Sequence, residues 1–178
     1  MVRITDDANL SNNFLGKVIE ICTVTRDYRR TMEGMVALGI GPWRVYTFSP
    51  ETVTEQTYMG KPAEYSIKVC FTEVENVIWE IMQPLSGPSI FSDFLEEHGE
   101  GIHHVAFNCR DVNWERRVQE FESRGFHLIQ SGKWLDQNTF AFFKTANATG
   151  VVFETYFFPS GFEYPEPEEW FPKEPNVD

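Results

Sequence analysis

The pattern of apolar and polar positions repeats weakly along the chain. The run Glu20-Ile-Cys-Thr-Val-Thr-Arg-Asp27 resembles His104-Val-Ala-Phe-Asn-Cys-Arg-Asp111, at a constant offset of 84 residues. Each run begins with a residue that can bind a metal, continues through residues that favour β-strands, and ends in Arg-Asp. Such self-similarity predicts two copies of one supersecondary unit, each beginning with a strand.

A helix is predicted directly after each of these strands. Asp27 and Asp111 are suitable N-cap residues, because a carboxylate accepts hydrogen bonds from the free N–H groups of a first helical turn. Gly39 and Gly125 then fit the positions that follow a helix C-terminus. The apolar stripes between them are Met32, Met35, Val36 and Leu38 in the first half and Trp114, Val118 and Phe121 in the second.

Each half is predicted to close with further strands. The strand candidates are 64–72 and 77–83 in the first half and 139–145 and 151–158 in the second, with turns at 75–76 and 146–150. A short helix is predicted at 89–97, between the halves. One strand, a helix and three more strands, repeated twice, predict an α+β fold.

This pattern divides the chain into five segments. They are an N-terminal extension (1–16), a first βαβββ module (17–85), a connector (86–100), a second βαβββ module (101–158) and a C-terminal tail (159–178). The tail is rich in Pro, Glu and aromatic residues and is predicted to be extended. It is predicted to pack across the body through Phe162, Tyr164, Trp170 and Phe171.

The net charge restricts the partners of the protein. Over 178 residues the chain carries 15 Lys and Arg against 27 Asp and Glu, a formal net charge of −12. Because phosphate binding requires a basic surface, nucleic acid and anionic membranes are not expected as partners. A small-molecule substrate is expected instead.

The cysteines indicate a reducing compartment. Cys22, Cys70 and Cys109 each lie inside an apolar run, without CxxC spacing, and their odd number favours buried free thiols. No apolar run reaches transmembrane length, and residues 1–13 are too polar for a signal peptide. A cytoplasmic location is therefore expected.

Two carboxylates interrupt apolar strands at matching places. Glu80 lies in Val-Ile-Trp-Glu-Ile-Met and Glu154 in Val-Val-Phe-Glu-Thr-Tyr-Phe-Phe. An ionised carboxylate inside a buried strand is costly unless it is paired or bound to a metal. Glu20 and His104 begin the matching first strands, so the four side chains converge if the halves are related by a pseudo-twofold axis.

Three motifs resemble methylmalonyl-CoA epimerases and their relatives. They are Leu38-Gly-Ile-Gly-Pro-Trp43, Glu80-Ile-Met-Gln-Pro-Leu-Ser-Gly87 and Phe94-Leu-Glu-Glu-His-Gly-Glu-Gly-Ile-His-His-Val-Ala-Phe107. The chain is thereby identified, over roughly residues 16–158, as a member of the vicinal oxygen chelate superfamily, which includes glyoxalases, bleomycin-resistance proteins and dioxygenases. The resemblance implies that the two βαβββ modules form one curved mixed-sheet cleft.

The resemblance also implies a divalent metal and a ligand set. The second to fourth ligand positions of the superfamily correspond to Glu80, His104 and Glu154, and the first, usually His, corresponds to Glu20. Three carboxylates and one imidazole favour Mn²⁺, Mg²⁺, Co²⁺ or Ni²⁺ over a thiolate-type zinc site. The set differs from the two-His, one-carboxylate pattern of Fe(II) oxygenases. No organic cofactor is expected.

The leading functional hypothesis is an isomerase, epimerase or lyase that acts next to a carbonyl through metal-chelated enolate chemistry. Glu20, Glu154 and Glu64 are the candidate catalytic bases. One alternative is a metal-independent enzyme of the same fold that uses Glu20 and His104 as base and acid on a polyketide-like or aromatic substrate. The other is a bleomycin-resistance-type binding protein without catalysis.

Aromatic residues, 15% of the chain, suit an apolar or aromatic substrate. No Lys/Arg cluster of the kind that a coenzyme A phosphate would favour is present, which counts against a CoA thioester. A homodimer is expected, because such modules commonly pair across chains and aromatic-rich surfaces often mark interfaces. The candidate substrate-binding rings are Trp43, Trp79, Phe107, Trp134, Phe140 and Phe142.

Overall fold

The computed structural model describes residues 14–75 and 77–175, whose strands form one curved mixed sheet. The strands are β1 (Val18–Val24), β2 (Trp43–Phe48), β3 (Val53–Tyr58), β4 (Lys61–Pro62), β5 (Ser66–Val74), β6 (Val77–Ser86), β7 (Gly101–Phe107), β8 (Leu128–Trp134), β9 (Asn138–Phe143), β10 (Val152–Phe157) and β11 (Glu169–Phe171). The helices are α1 (Tyr28–Ala37), α2 (Ile90–Glu97), α3 (Trp114–Ser123) and α4 (Ala146–Thr149).

The centre of the sheet has the symmetry that the sequence repeat predicts. The strand order is β11-β2-β5-β6-β1-β7-β10-β9-β8-β3-β4. β1 pairs in parallel with β6, β7 pairs in parallel with β10, and β1 and β7 are antiparallel to each other. On each side of the β1–β7 junction, the first strand of a half therefore pairs in parallel with the last strand of the same half. The predicted α+β fold with a repeated module is confirmed.

The helix starts agree with one predicted cap and correct the other. Asp27 caps α1, and its side chain accepts a hydrogen bond from the Arg30 backbone N–H. Asp111 does not cap α3. The cap is Asn113, which is as good an N-cap as Asp, because left-handed backbone at Cys109 and the following residue delays the start of the helix.

The β3–β4 hairpin is not predicted by the apolar pattern. In β3 only Val53 and Gln56 are buried, so the strand lacks apolar alternation. β3 follows β2 after a connection of only four residues, 49–52, yet it pairs with β8 in the other half. Such a connection spans less than about 20 Å. The outer edges of the two halves therefore approach each other, and the sheet curls around its inner face.

The predicted turns are placed differently in the two halves. Residues 146–150 contain the short helix α4, which Gly150 ends in a left-handed conformation. In the first half, Glu75 adopts the positive φ of a tight turn, and Asn76 lies outside the described residues.

Three apolar clusters fill the fold. The largest lies on the inner face of the curved sheet, and the other two pack under α1 and α3 on its outer face. The three cysteines are buried free thiols, as the sequence predicts. None of the helices in the described part of the chain is long and apolar enough to cross a membrane.

The C-terminal tail crosses the open side of the curved sheet. β11 adds to the edge of the sheet by pairing with β2. Before it, the ring of Phe162 lies 5.9 Å from Trp134, and the ring of Tyr164 lies 5.1 Å from Phe71. The hydroxyl of Tyr46 donates to the Pro165 carbonyl at 2.9 Å. The tail thus covers part of the cleft with aromatic side chains.

Candidate active site

Strand register brings His104 and Glu80 to the two sides of Cys22. Cys22 on β1 pairs with Glu80 on the parallel strand β6 and with His104 on the antiparallel strand β7. Residues that pair directly across neighbouring strands point to the same face of a sheet. The side chains of Glu80 and His104 therefore share the inner face.

The same relationship, in mirrored halves, positions Glu20 and Glu154. Ala106 on β7 pairs with Glu20 on β1 and with Glu154 on β10. Because Ala106 follows His104 by two residues, all four polar side chains project from the same face. We call them the carboxylate–histidine cluster: Glu20, Glu80, His104 and Glu154.

The cluster is compact and buried. The Nε2 atom of His104 lies 3.2 Å from Glu80 Oε2, 3.2 Å from Glu154 Oε2 and 4.0 Å from Glu20 Oε1. One potential ligand atom from each residue lies within 4.8 Å of the others. The exposed fraction is 0% for His104 and no more than 7% for any of the three glutamates. The structure thus brings together the four residues that the sequence analysis predicts as metal ligands.

Burial and mutual repulsion perturb the titration of the cluster. Burial, followed by the charges of Glu80 and Glu154, raises the pKa of Glu20 well above its ordinary value. Burial also raises the pKa of Glu154, against the effect of His104. Burial alone would lower the pKa of His104, but its contacts with Glu154 and Glu80 outweigh that effect and raise it to about 9. One imidazolium cannot neutralise three carboxylates.

The cluster has the properties of a divalent cation site. His104 Nε2 makes a hydrogen bond with Glu80 Oε2 and lies equally close, at 3.2 Å, to Glu154 Oε2, which has no separate hydrogen-bond partner among the described residues. A buried carboxylate oxygen that has to share its one donor with a neighbouring carboxylate is incompletely satisfied. Three carboxylates and one imidazole suit a hard, oxygen-preferring ion. Glu20, Glu80, His104 and Glu154 therefore fit such an ion.

The sequence does not predict that two further residues, Cys22 and His103, lie next to the cluster. Cys22 forms a second potential metal-binding group with Glu80 and His104, but burial and the charge of Glu80 raise the pKa of its thiol well above the ordinary value. His103 Nδ1 lies 2.8 Å from His104 Nδ1, and burial lowers the pKa of His103 well below its ordinary value. A neutral His103 can accept a hydrogen bond at Nδ1 from the Nδ1–H group of His104 and so fix the orientation of the His104 ring.

The three glutamates of the cluster line a cavity inside the curved sheet whose other walls are mainly apolar, whereas His104 is not among the lining residues. The cavity itself has a volume of about 50 Å³, and the space between its walls, counting the solvent at its open end, is about 640 Å³. Lys and Arg are absent from the described residues that line it. Its polar lining residues besides glutamates and tyrosines are Gln130 and Asn138, and its lining rings are Phe48, Tyr65, Phe71, Phe91, Trp134, Phe140, Phe142, Tyr156, Phe158 and Tyr164.

Three of the predicted substrate-binding rings lie elsewhere. Trp43 is fully buried and packs with Trp79 in the cluster under α1. Phe107 packs in the cluster under α3, with its ring 4.6 Å from Phe153. Strand alternation is the reason: Trp79 is next to Glu80 in sequence and therefore points to the opposite face. These three rings are corrected to core residues, whereas Trp134, Phe140 and Phe142 line the cavity.

Glu64 is not brought to the site. It is exposed, just before β5, and does not line the cavity. Its neighbour Tyr65 is buried, lines the cavity, and donates its hydroxyl to the Ser131 carbonyl at 3.2 Å. The predicted role of Glu64 as a base is therefore corrected.

The chain matches a known protein family and a bacterial relative. The family model described as "Glyoxalase/Bleomycin resistance protein/Dioxygenase superfamily" matches residues 20–143. The uncharacterized protein YqjC of Bacillus subtilis (strain 168) is 29% identical over 93 residues, which cover 51% of this chain and 65% of that relative. The match thus spans slightly less than two thirds of the relative's length.

Two solved structures share the fold at low sequence identity. The hypothetical protein BH1468 from Bacillus halodurans C-125 has a TM-score of 0.60 and 23% identity, over 83% of this chain and 98% of that one. Methylmalonyl-CoA epimerase from Mycobacterium tuberculosis has a TM-score of 0.53 and 16% identity, over 81% of this chain and 89% of that one. At these identities the likeness concerns the fold.

Proposed function

Because the chain belongs to the glyoxalase/bleomycin resistance protein/dioxygenase superfamily, we propose that it is an isomerase, epimerase or lyase that acts next to a carbonyl group of a small molecule. One observation carries the proposal. Three buried carboxylates, grouped around one fully buried histidine, line a cavity whose other walls are mainly apolar and aromatic. Such a cavity suits an apolar or aromatic substrate with one oxygen-bearing end.

The proposed cofactor is a divalent ion such as Mn²⁺, Mg²⁺, Co²⁺ or Ni²⁺. Glu20, Glu80, His104 and Glu154 would hold it, in keeping with their donor atoms and mutual repulsion. When bound, such an ion would be chelated by two neighbouring substrate oxygens and would polarise the carbonyl, which acidifies the adjacent C–H group.

The side chains of the cluster are suited to move that proton. Glu20 lines the cavity, and in the metal-free protein its raised pKa lets it take up and return a proton nearer to neutral pH than an ordinary carboxylate. Glu154 shares these two properties. We propose Glu20 as the base, because Glu20 lies farther from His104 Nε2 than Glu154 does. The aromatic walls would exclude water from the reacting group.

A second candidate function needs no metal. The pKa of His104, raised to about 9 by Glu154 and Glu80 against burial, keeps its imidazole protonated at neutral pH. His104 would then act as acid and Glu20 as base on a polyketide-like or aromatic substrate. A binding protein without catalysis would use the same aromatic walls, but it has no need of the cluster.

Elemental analysis separates the metal-dependent enzyme from the two metal-free candidates. The protein is purified without a chelator or a metal-affinity tag, and its metal content is compared with that of Glu80→Gln. We expect close to one divalent ion per chain in the wild type and a large loss in the variant. Glu64→Gln, altered at an exposed carboxylate outside the cavity, is the matched control and should keep its metal. Equal, negligible metal in all three proteins would favour the metal-free acid–base enzyme or the binding protein.

We also propose a homodimer in the cytoplasm. The modules of this superfamily commonly pair across chains, and the three free, buried cysteines suit a reducing compartment. Light scattering at micromolar concentration should give about twice the chain mass of 20.7 kDa. A mass of one chain would contradict the dimer.

A further inference from the structure

Gln130 lies on the cavity wall two strands away from the carboxylate–histidine cluster. On β8 it pairs with Phe142 of β9, and Phe142 pairs with Glu154 of β10. Gln130 is fully buried and lines the cavity. Since neighbouring strands are about 4.8 Å apart, its backbone is roughly 10 Å from that of Glu154.

The amide of Gln130 has one fixed end and one open end. Its Oε1 accepts a hydrogen bond from the backbone N–H of Ile90, the first residue of α2, at 3.0 Å. That bond fixes which end of the amide is oxygen and which is nitrogen. The Nε2 group is buried and has no hydrogen-bond partner in the part of the chain that the structure describes. A buried donor without a partner destabilises the fold.

Gln56 shows that the fold can satisfy a buried glutamine. Its Nε2 donates to the carbonyl of Tyr65, and its Oε1 accepts from the backbone N–H of the same residue. Gln56 is thus held by two bonds within the protein and does not line the cavity. The open Nε2 of Gln130 is therefore a property of the cavity wall rather than of glutamine side chains in this core.

We propose that Gln130 is a substrate-binding residue whose Nε2 group donates a hydrogen bond to a second oxygen of the ligand. The inference rests on the proposed function, in that the first oxygen-bearing end of the same ligand lies at the cluster. Because Lys and Arg are absent from the described lining, the second oxygen belongs to a neutral group such as a ketone, quinone or ether. The substrate class is therefore a neutral aromatic or polycyclic compound with oxygen at two separated positions.

A ketone and a hydrocarbon of the same shape test this donor. The probes are 1-tetralone and tetralin, and their dissociation constants are measured by titration calorimetry in excess chelator. The ratio of the two constants is compared between wild type and Gln130→Met, which removes the donor and keeps the length of the side chain. We expect the preference for the ketone to fall about tenfold, the effect of one hydrogen bond from a buried donor. Gln56→Met is the matched control and should keep the wild-type ratio.

Gln130→Leu provides a second variant if Gln130→Met does not fold, because it also removes the donor and introduces neither a charge nor an O–H group. The same loss of ketone preference is expected. An unchanged ratio in the folded Gln130 variants, or no binding of either probe to the wild type, would overturn the proposal. Because the titrations contain no metal, a lack of metal binding or turnover would refute the proposed function and leave this result intact.

Discussion

His103 and His104 meet through their Nδ1 atoms, 2.8 Å apart in the protein interior. Two nitrogens at this distance share one hydrogen, so one ring donates and the other accepts. Burial, followed by the charge of His104, lowers the pKa of His103, which favours a neutral ring that accepts from His104 Nδ1–H. That arrangement leaves the tautomer of His104 with its Nε2 lone pair toward the carboxylates when the ring is neutral.

His103→Phe should therefore weaken divalent metal binding. The substitution leaves His104 Nδ1 without its acceptor, and loss of such supporting hydrogen bonds typically costs about 10- to 100-fold in metal affinity. Titration calorimetry with Mn²⁺ measures the change. His98→Phe alters a largely exposed histidine outside the cluster and should bind Mn²⁺ as the wild type does. Equal affinities for all three proteins would show that His103 has no positioning role.

A divalent ion should stabilise the fold. Two like charges about 4 Å apart repel by roughly 4 kcal/mol at an effective dielectric of 20, and a bound cation removes this repulsion. After exhaustive chelation, Mn²⁺, Co²⁺, Ni²⁺ or Mg²⁺ at 100 times its Kd should add about 2.7 kcal/mol and raise the Tm by roughly 5–10 °C. Glu154→Gln should lose most of this response, whereas Glu64→Gln should retain it. A wild-type Tm that is indifferent to every ion would rule out the metal site.

The fold and the cluster are predictable because their signals are local and repeated. Glu20 and His104 occupy matching positions of a repeat, and Glu80 and Glu154 are charges inside apolar strands. Each signal survives in a single sequence, since burying an unpaired charge is costly in any fold. Gln130 lacks this signal, because its strand also contains Ser131 and Lys133 and because a neutral amide carries a lower cost of burial.

The cavity rings are harder to predict, because aromatic residues suit both the core and a binding site. Strand alternation from Glu80 would have assigned Trp79 to the outer face, but the polar neighbour of Trp43 is Arg44, which is not a candidate site residue and so does not mark the cavity face. The β3–β4 hairpin depends on a long-range pairing with β8 that no local pattern encodes. Although His103 and His104 are adjacent in sequence, the contact between their Nδ1 atoms depends on the orientation of the two rings, which the sequence does not specify.

The metal-free protein should lose stability as the pH rises above neutrality. The pKa of His104 is about 9 in the fold, against 6.5 for a free side chain, so the folded state retains a proton that the unfolded state releases. The resulting stabilisation is complete below about pH 6.5 and disappears as the pH passes about 9. The raised pKa of Glu20 acts in the same direction.

Urea unfolding in excess chelator measures this dependence. Between pH 6.5 and 9 the free energy of unfolding should fall by up to about 3 kcal/mol. His104→Gln should have a flatter profile over the same interval, because it removes the group whose proton is linked to folding. A wild-type profile that rises or stays level there would contradict the ionic contacts of His104 with Glu154 and Glu80.

The tail should contribute directly to ligand binding through Tyr164. This side chain lines the cavity, has its ring 5.1 Å from that of Phe71 at a tilt of 47°, and has the Arg44 guanidinium 5.4 Å from its ring centre. Tyr164→Ala should remove a wall of the cavity, weaken the binding of 1-tetralone several-fold, and lower the free energy of unfolding by about 2 kcal/mol. Phe157→Ala, at a residue that is 43% exposed and lies outside the cavity lining, is the matched control and should leave 1-tetralone affinity unchanged. If Tyr164→Ala is destabilised but binds the probe as tightly as the wild type, the tail supports the fold without forming part of the binding site.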